Sequence, residues 1–276
     1  MGERSKTINS IHQSTLNMAL RCGEQFRRRY IEGEIVPPSI PAGRGTGVHK
    51  ANEVNLNYKI KTKENAPLDD LRDAARDAYV HSFRNGVYLS KKDTPEKSKL
   101  LNRGLNDTIR CTDLYWNEVA PLIHPTAIEE EFSINVGLGI TLDGRQDYQE
   151  EPRVGDLKTT SMKWPEGRIK EEIQVPFYSY AFEHKKGIRP EFRYDVLIAR
   201  NGKGGEPTST MYQPLTYTCT DADYNALFAK LHLFIKMLKA GIFPPTHPGN
   251  WVCSAKWCGY YSTCPYVGNS LPGKEI

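Results

Sequence analysis

Residues 142 to 160 read LDGRQDYQEEPRVGDLKTT, and the chain is best understood outward from Asp147, Asp156 and Lys158 in this stretch. Asp156 and Lys158 are two residues apart. Side chains on a strand alternate between its faces, so this spacing turns both to one side and leaves Leu157 for the core. Asp147 falls on the preceding strand, from which it can approach Asp156. Converging carboxylates repel each other unless a hard cation joins them. Mg²⁺ or Mn²⁺ suits such an oxygen site and keeps waters that can be activated. Lys158 beside that cation could orient or deprotonate an attacking water, or stabilise charge building on phosphorus. The residue types therefore point to phosphodiester hydrolysis, with Asp147, Asp156 and Lys158 as catalytic residues and both aspartates as metal ligands. A D-x-K triplet alone is more often a surface salt bridge, so the neighbours must decide.

The neighbours form an ordered series. Residues 127–136, 138–148 and 152–159 are expected to be strands, with turns at Gly137, Asp143–Gly144 and Glu150–Pro152. Upstream, a helix over about 14–30 has Leu16, Leu20, Gly23, Phe26 and Tyr30 on one face. A second helix should begin near Gly47 and carry His49, with the glycine-rich AGRGTGVH as a flexible lead into it. That stretch lacks the Gly-Lys-Ser/Thr ending of a phosphate loop. Residues 67–118 read as two helical pieces parted near Asn85–Gly86. Downstream come a helix over about 170–186, strands at 192–199 and 209–217, and a helix opened by a Thr220/Asp223 capping box and closed by Gly241. The pattern is an α/β sandwich with a mixed sheet and a helical insertion.

This arrangement resembles the PD-(D/E)XK nuclease superfamily, and within it the RecB-like branch that includes CRISPR-associated RecB-like and phage iron–sulfur exonucleases. Gly144–Arg145–Gln146–Asp147 matches the branch's G-x-x-D, Asp156–Leu157–Lys158 its D-x-K, Gly45 to His49 its G-x-x-x-H, and Gln174 to Tyr178 its Q-x-x-x-Y. The matches fall in order over roughly residues 14 to 267. The resemblance implies a restriction-endonuclease-like fold: a mixed sheet flanked by helices, forming one domain over 1–276, with the insertion at about 67–118. It also implies a DNA nuclease acting on single strands or ends. His49, when neutral, could be a further metal ligand through one ring nitrogen. Gln174 and Tyr178 are i and i+4 on one helix face, placed to contact DNA or to brace Lys158. Pro176 between them implies a first-turn position or a kink. Glu130 or Glu131 could also reach the metal.

Cys253, Cys258 and Cys264 lie within twelve residues of a tail (about 242–267) that is poor in periodic apolar residues. Three thiolates are one short of a closed site, and Cys22 in the first helix is the natural fourth. The same split is found in the RecB-like branch, where it holds a [4Fe–4S] cluster; four thiolates also suit zinc. The first pair here is separated by four residues, where the branch more often has two. A cluster would tie helix 14–30 to the tail, with Trp257, Tyr260 and Tyr261 packed around it. Cys111 and Cys219 read as ordinary thiols.

Charged residues make up 25% and the net charge is +4, which permits nucleic-acid binding without arguing for it. There is no apolar run of membrane-spanning length, and MGERSKTINS lacks the apolar stretch of a secretory leader. The expectation is a cytoplasmic protein of a bacterial, archaeal or phage-infected cell, with DNA as its substrate and recombination or replication proteins as possible partners. Two rivals to a nuclease follow from the same residues. One is a non-catalytic DNA-binding or assembly module of a recombination or CRISPR-adaptation complex. The other is an iron–sulfur redox or regulatory protein, which would leave the ordered carboxylate, lysine and glutamine motifs without a role.

Overall fold

The computed structural model describes residues 9–137 and 139–267. Leu138, where the sequence reading starts a strand, and the outermost residues of the single-domain reading lie outside the described residues. The chain forms a mixed six-stranded sheet: β1 (Ser10–Ile11), β2 (Ala127–Asn135), β3 (Thr141–Glu150), β4 (Arg153–Thr160), β5 (Glu191–Asn201) and β6 (Pro207–Thr218). The order is β1-β3-β4-β5-β6, and β2 also pairs with β3. β4 and β5 run parallel, joined by a helical crossover, while β2/β3, β3/β4 and β5/β6 are antiparallel.

Helices cover both faces. On one side α1 (Gln13–Arg21), α2 (Gly23–Phe26), α6 (Arg168–Glu171), α7 (Gln174–Lys186) and α8 (Asp221–Ala240) enclose Leu16, Phe26, Phe177, Tyr194 and Phe234. On the other, α3 (Ile40–Thr62), α4 (Leu68–Ser82) and α5 (Lys97–Leu114) enclose Val48, Leu71, Tyr115, Leu157 and Leu197. β5 feeds both cores, Phe192, Tyr194, Val196 and Ile198 entering one and Leu197 and Ala199 the other, with Arg193 and Asp195 buried as an ion pair.

Four local expectations need correction. The glycine-rich stretch is not a flexible lead: α3 starts at Ile40 and runs through it. Close packing overrides the low helix propensity of glycine there, since a Cβ on Gly43 would lie 2.3 Å from the Phe83 ring and one on Gly47 2.7 Å from Ala75 O. The first helix is broken at Cys22, whose backbone is extended, because the tail crosses there and Pro244 O accepts the Gly23 N–H at 2.8 Å. Asp143 and Gly144 lie inside β3 rather than in a turn, with the Phe132 ring over Gly144 where a side chain would otherwise stand. The helix expected over 170–186 is two helices. Pro176 has no N–H to continue a ladder from Glu172, so α7 restarts at Gln174 with the proline in its first turn. The last helix is capped as expected, Thr220 N donating to Asp223 Oδ2 at 2.7 Å and Gly241 closing it at φ 66°.

Candidate active site

Three elements meet at the aspartates. The β3/β4 register pairs Tyr148 with Gly155, so Asp147 and Asp156 follow as the next residues on adjacent strands. Gly155 is required there, because a Cβ would fall 1.8 Å from the Tyr148 ring. From above, α3 brings His49 Nδ1 to 2.9 Å from Asp147 Oδ2. The same carboxylate oxygen accepts the Leu157 N–H at 3.2 Å. Asp147 thus joins α3, β3 and β4 through one side chain.

Asp156 is only 3% exposed. Lys158 Nζ lies 2.6 Å from its Oδ2, as the two-residue spacing requires. Gln174, at the start of α7, bridges the pair. Its Nε2 donates to Asp156 Oδ1, and its Oε1 accepts from Lys158 Nζ at 2.8 Å and from the Tyr194 hydroxyl at 3.3 Å. One donor and one acceptor end, each matched, fix the orientation of the amide. The Lys158 ammonium also sits 5.3 Å from the centre of the Tyr194 ring. Gln174 and Tyr178 are both buried, Tyr178 against Phe132 and Phe177. Gln174 braces Lys158 against Asp156, while Tyr178 packs behind it.

The electrostatics separate the two aspartates. Burial works against charge on both. At Asp147 the His49 ring, with Lys158 behind it, outweighs burial and holds the carboxyl below its ordinary value. At Asp156 burial and the repulsion of Asp147 outweigh Lys158, and the carboxyl is raised. His49 is also penalised by burial, but the Asp147 carboxylate beside it lifts its pKa to about 9.

Among the described residues, no three His, Cys, Asp or Glu side chains already stand in metal-ligand geometry. The donor chemistry nevertheless fits a hard cation. Asp156 Oδ2 is buried and meets the Lys158 ammonium at 2.6 Å. Beside it stand the Asp147 carboxylate and the His49 imidazole.

Sequence reasoning missed Glu129. Glu130 and Glu131 were the candidates on β2, but Glu130 pairs with Lys185 and Glu131 is exposed. The β2/β3 register sets Ile128 against Tyr148 and Glu130 against Gln146, which puts Glu129 across from Asp147. Glu129 has φ 51°, a left-handed conformation that no sequence pattern at a glutamate announces. Arg145 Nε contacts it at 2.5 Å, while burial and the neighbouring Asp147 raise its pKa.

Cys22, Cys253, Cys258 and Cys264 line one pocket with Tyr260 and Tyr261, though among the described residues they too do not stand in metal-ligand geometry. Cys22 Sγ accepts the Thr246 N–H at 3.4 Å. Burial and then the surrounding sulfurs raise the Cys253 thiol. Cys111 and Cys219 are buried elsewhere, and burial pushes each up to about 11. Around the pocket, Arg28 donates to Thr263 Oγ1 at 2.8 Å and lies 4.9 Å from the Tyr260 ring centre, and the Tyr260 hydroxyl donates to Glu34 O at 2.8 Å. Trp257 departs from the expected packing: it is 52% exposed and meets Trp251 edge to face.

A sequence model of the PD-(D/E)XK nuclease superfamily matches residues 10–265. Among solved structures, the chain is similar to a candidate exonuclease from Eubacterium rectale at 11% identity and a TM-score of 0.48, over 89% of this chain and 87% of that one. No curated protein matches. Among the described residues, no helix is long and apolar enough to cross a membrane.

Proposed function

The chain belongs to the PD-(D/E)XK nuclease superfamily, and from that membership we propose that it is a Mg²⁺- or Mn²⁺-dependent DNA exonuclease acting on single strands or strand ends. The observation that carries the metal dependence is the approach of the buried Asp156 carboxylate to Asp147 and His49, with the Lys158 ammonium at its edge. Asp147, Asp156 and His49 would hold the cation. A cation held there would polarise the scissile phosphate and lower the pKa of a nearby water.

The chain's own residues supply the remainder. Lys158 keeps an ammonium at the edge of the carboxylate pair, where it orients the attacking water and offsets charge developing on the phosphate oxygens. Gln174 fixes the distance between Lys158 and Asp156, so that neither can drift with the substrate bound. Tyr178 walls the site from the α7 side. Where the tail crosses the first helices, Cys22, Cys253, Cys258 and Cys264 are assigned to a [4Fe–4S] cluster with a structural role, zinc being the rival. The fit rests on four thiols around one pocket and a backbone N–H directed at Cys22 Sγ.

The test uses end-labelled linear single- and double-stranded DNA beside a closed circular single strand. With Mn²⁺ or Mg²⁺, linear single strands should be shortened from an end and circles left intact; chelator should stop the reaction. Undiminished cleavage in EDTA would overturn the metal mechanism. Circles cut as fast as linear strands would overturn exonucleolytic action.

A further inference from the structure

A second cavity lies outside the carboxylate site. It has a volume of about 380 Å³ and is walled by the start of α3, the loop around Tyr88, α5, the residue following β4 and the cysteine-bearing tail. That size is within the range of small-molecule sites, about 300–1,000 Å³. Three features of its wall are unusual together.

The first is Arg44. It is 8% exposed and lines the cavity, yet among the described residues its guanidinium has only two long polar contacts, Nε to Thr159 Oγ1 at 3.4 Å and Nη1 to Asp107 at 3.9 Å. A buried guanidinium with five donors is expensive to leave so poorly matched. Asp107 does not need it, because Arg110 at 2.9 Å and Asn201 at 2.8 Å already satisfy that carboxylate. The other acid in the wall, Asp93, is held by the Ser90 hydroxyl at 2.6 Å. Arg103 and Lys256 add two further cations.

The second is Trp257, which presents an exposed indole on the same wall, with the Lys256 ammonium 5.0 Å from its ring centre. An indole beside cations is a surface on which an unpaired base can stack. The third is position. Thr159 follows Lys158 directly on β4, and Ser161, just past the strand, lines the cavity. The pocket and the aspartate site thus adjoin neighbouring positions of one strand, Lys158 serving one and Thr159 and Ser161 bordering the other.

We propose that this cavity is a subsite for one unpaired nucleotide of the DNA strand, its phosphate on Arg44 and its base on Trp257. The inference rests on the nuclease reading and deepens it: a pocket sized for a single base excludes a base pair, and so selects single strands. Tyr88 holds the rim, its hydroxyl placed between the Ala255 and Cys258 carbonyl oxygens, either of which can accept its proton.

The test is calorimetric titration of the whole protein, cluster intact and in EDTA, with thymidine monophosphate, thymidine and inorganic phosphate. EDTA removes any contribution from a cation at the aspartates. The nucleotide should bind, and more tightly than either fragment. Arg44→Gln and Trp257→Ala should each weaken it by about tenfold or more, the cost of a charged hydrogen bond or a stacked base. Both should fold, since Asp107 keeps its partners and Trp257 is exposed, and melting curves verify this. Binding that is unaffected by both substitutions, or phosphate that binds as well as the nucleotide, overturns the subsite. Metal-dependent cleavage without nucleotide binding overturns the subsite and leaves the nuclease reading standing. Nucleotide binding by the Arg44/Trp257 pocket without any cleavage supports the subsite and sinks the nuclease reading.

Discussion

His49 Nδ1 and Asp147 Oδ2 face each other at 2.9 Å, so a proton on the helix and a cation on the sheet contend for one carboxylate. With the His49 pKa at about 9, the proton is in place at neutral pH whenever the cation is absent. Metal entry must displace it. The Mn²⁺ affinity of the metal-free protein should therefore climb as pH rises toward 9 and flatten above it, by isothermal titration. A His49→Asn variant should show a much shallower dependence.

The same pair sets a stability profile. His49 is raised from its ordinary 6.5 to about 9, so its contribution is fully present below 6.5 and is lost as pH rises through 9. Without metal, the melting temperature of the wild type should fall relative to His49→Asn between pH 7 and 10. Parallel curves for the two proteins would show that the contact carries no linked stability.

Lys158→Ala should lower kcat by about 10²–10³-fold, as expected for loss of a preorganised charge at the reacting phosphate. Gln174→Ala acts through Lys158 and Asp156 and should cost less, about 10–100-fold, the usual range for a residue that orients others. Its signature is a weakened Mn²⁺ affinity alongside the lower kcat. Wild-type rates in either variant would displace these residues from the roles given them.

Glu129 separates strain from function. Glu129→Ala keeps the left-handed backbone without the freedom to adopt it, whereas Glu129→Gly adopts it readily. The alanine variant should be less stable than the glycine variant by about 1 kcal/mol in chemical denaturation. Both should bind Mn²⁺ more weakly than the wild type if the carboxylate supports the Asp147 site. Unchanged metal affinity in both would make Glu129 a structural residue.

Anaerobically purified protein should be brown and carry about four irons per chain, the content of a cubane cluster. Cys22→Ser, Cys253→Ser, Cys258→Ser and Cys264→Ser should each lose colour and melt lower. Cys111→Ser and Cys219→Ser should stay brown, since both lie away from the pocket. A colourless wild type holding one zinc would replace the cluster but retain the four ligands; unchanged metal in Cys22→Ser would break the set.

What could be read in advance follows the reach of each signal. Asp156 with Lys158, and Gln174 with Tyr178, are spaced by the period of their own element, and the structure shows the expected shared faces. The four cysteines could be gathered because nothing else in the chain explains their tail. Glu129 was missed because its place depends on a cross-strand register and a backbone angle, and no spacing encodes either. The helix through Gly43 and Gly47 was missed because long-range packing against Phe83, Ala75 and Thr108 overrules local propensity. Arg44 has no motif at all: its neighbours come from segments scattered between residues 39 and 257, and only the folded chain brings them together.

The crossing of the tail over Cys22 sets an order of events during synthesis. Arg28 finds Thr263 only 235 residues later, and Gly23 must wait for Pro244. Phe26 packs on Phe234 and Phe243, so the first helices leave the ribosome with their apolar face uncovered. At about 5–20 residues per second, that face stays open for on the order of ten seconds or more. During that interval Phe26 and Leu16 are the surface a chaperone would hold, and α1 and α2 are finished long after they are made.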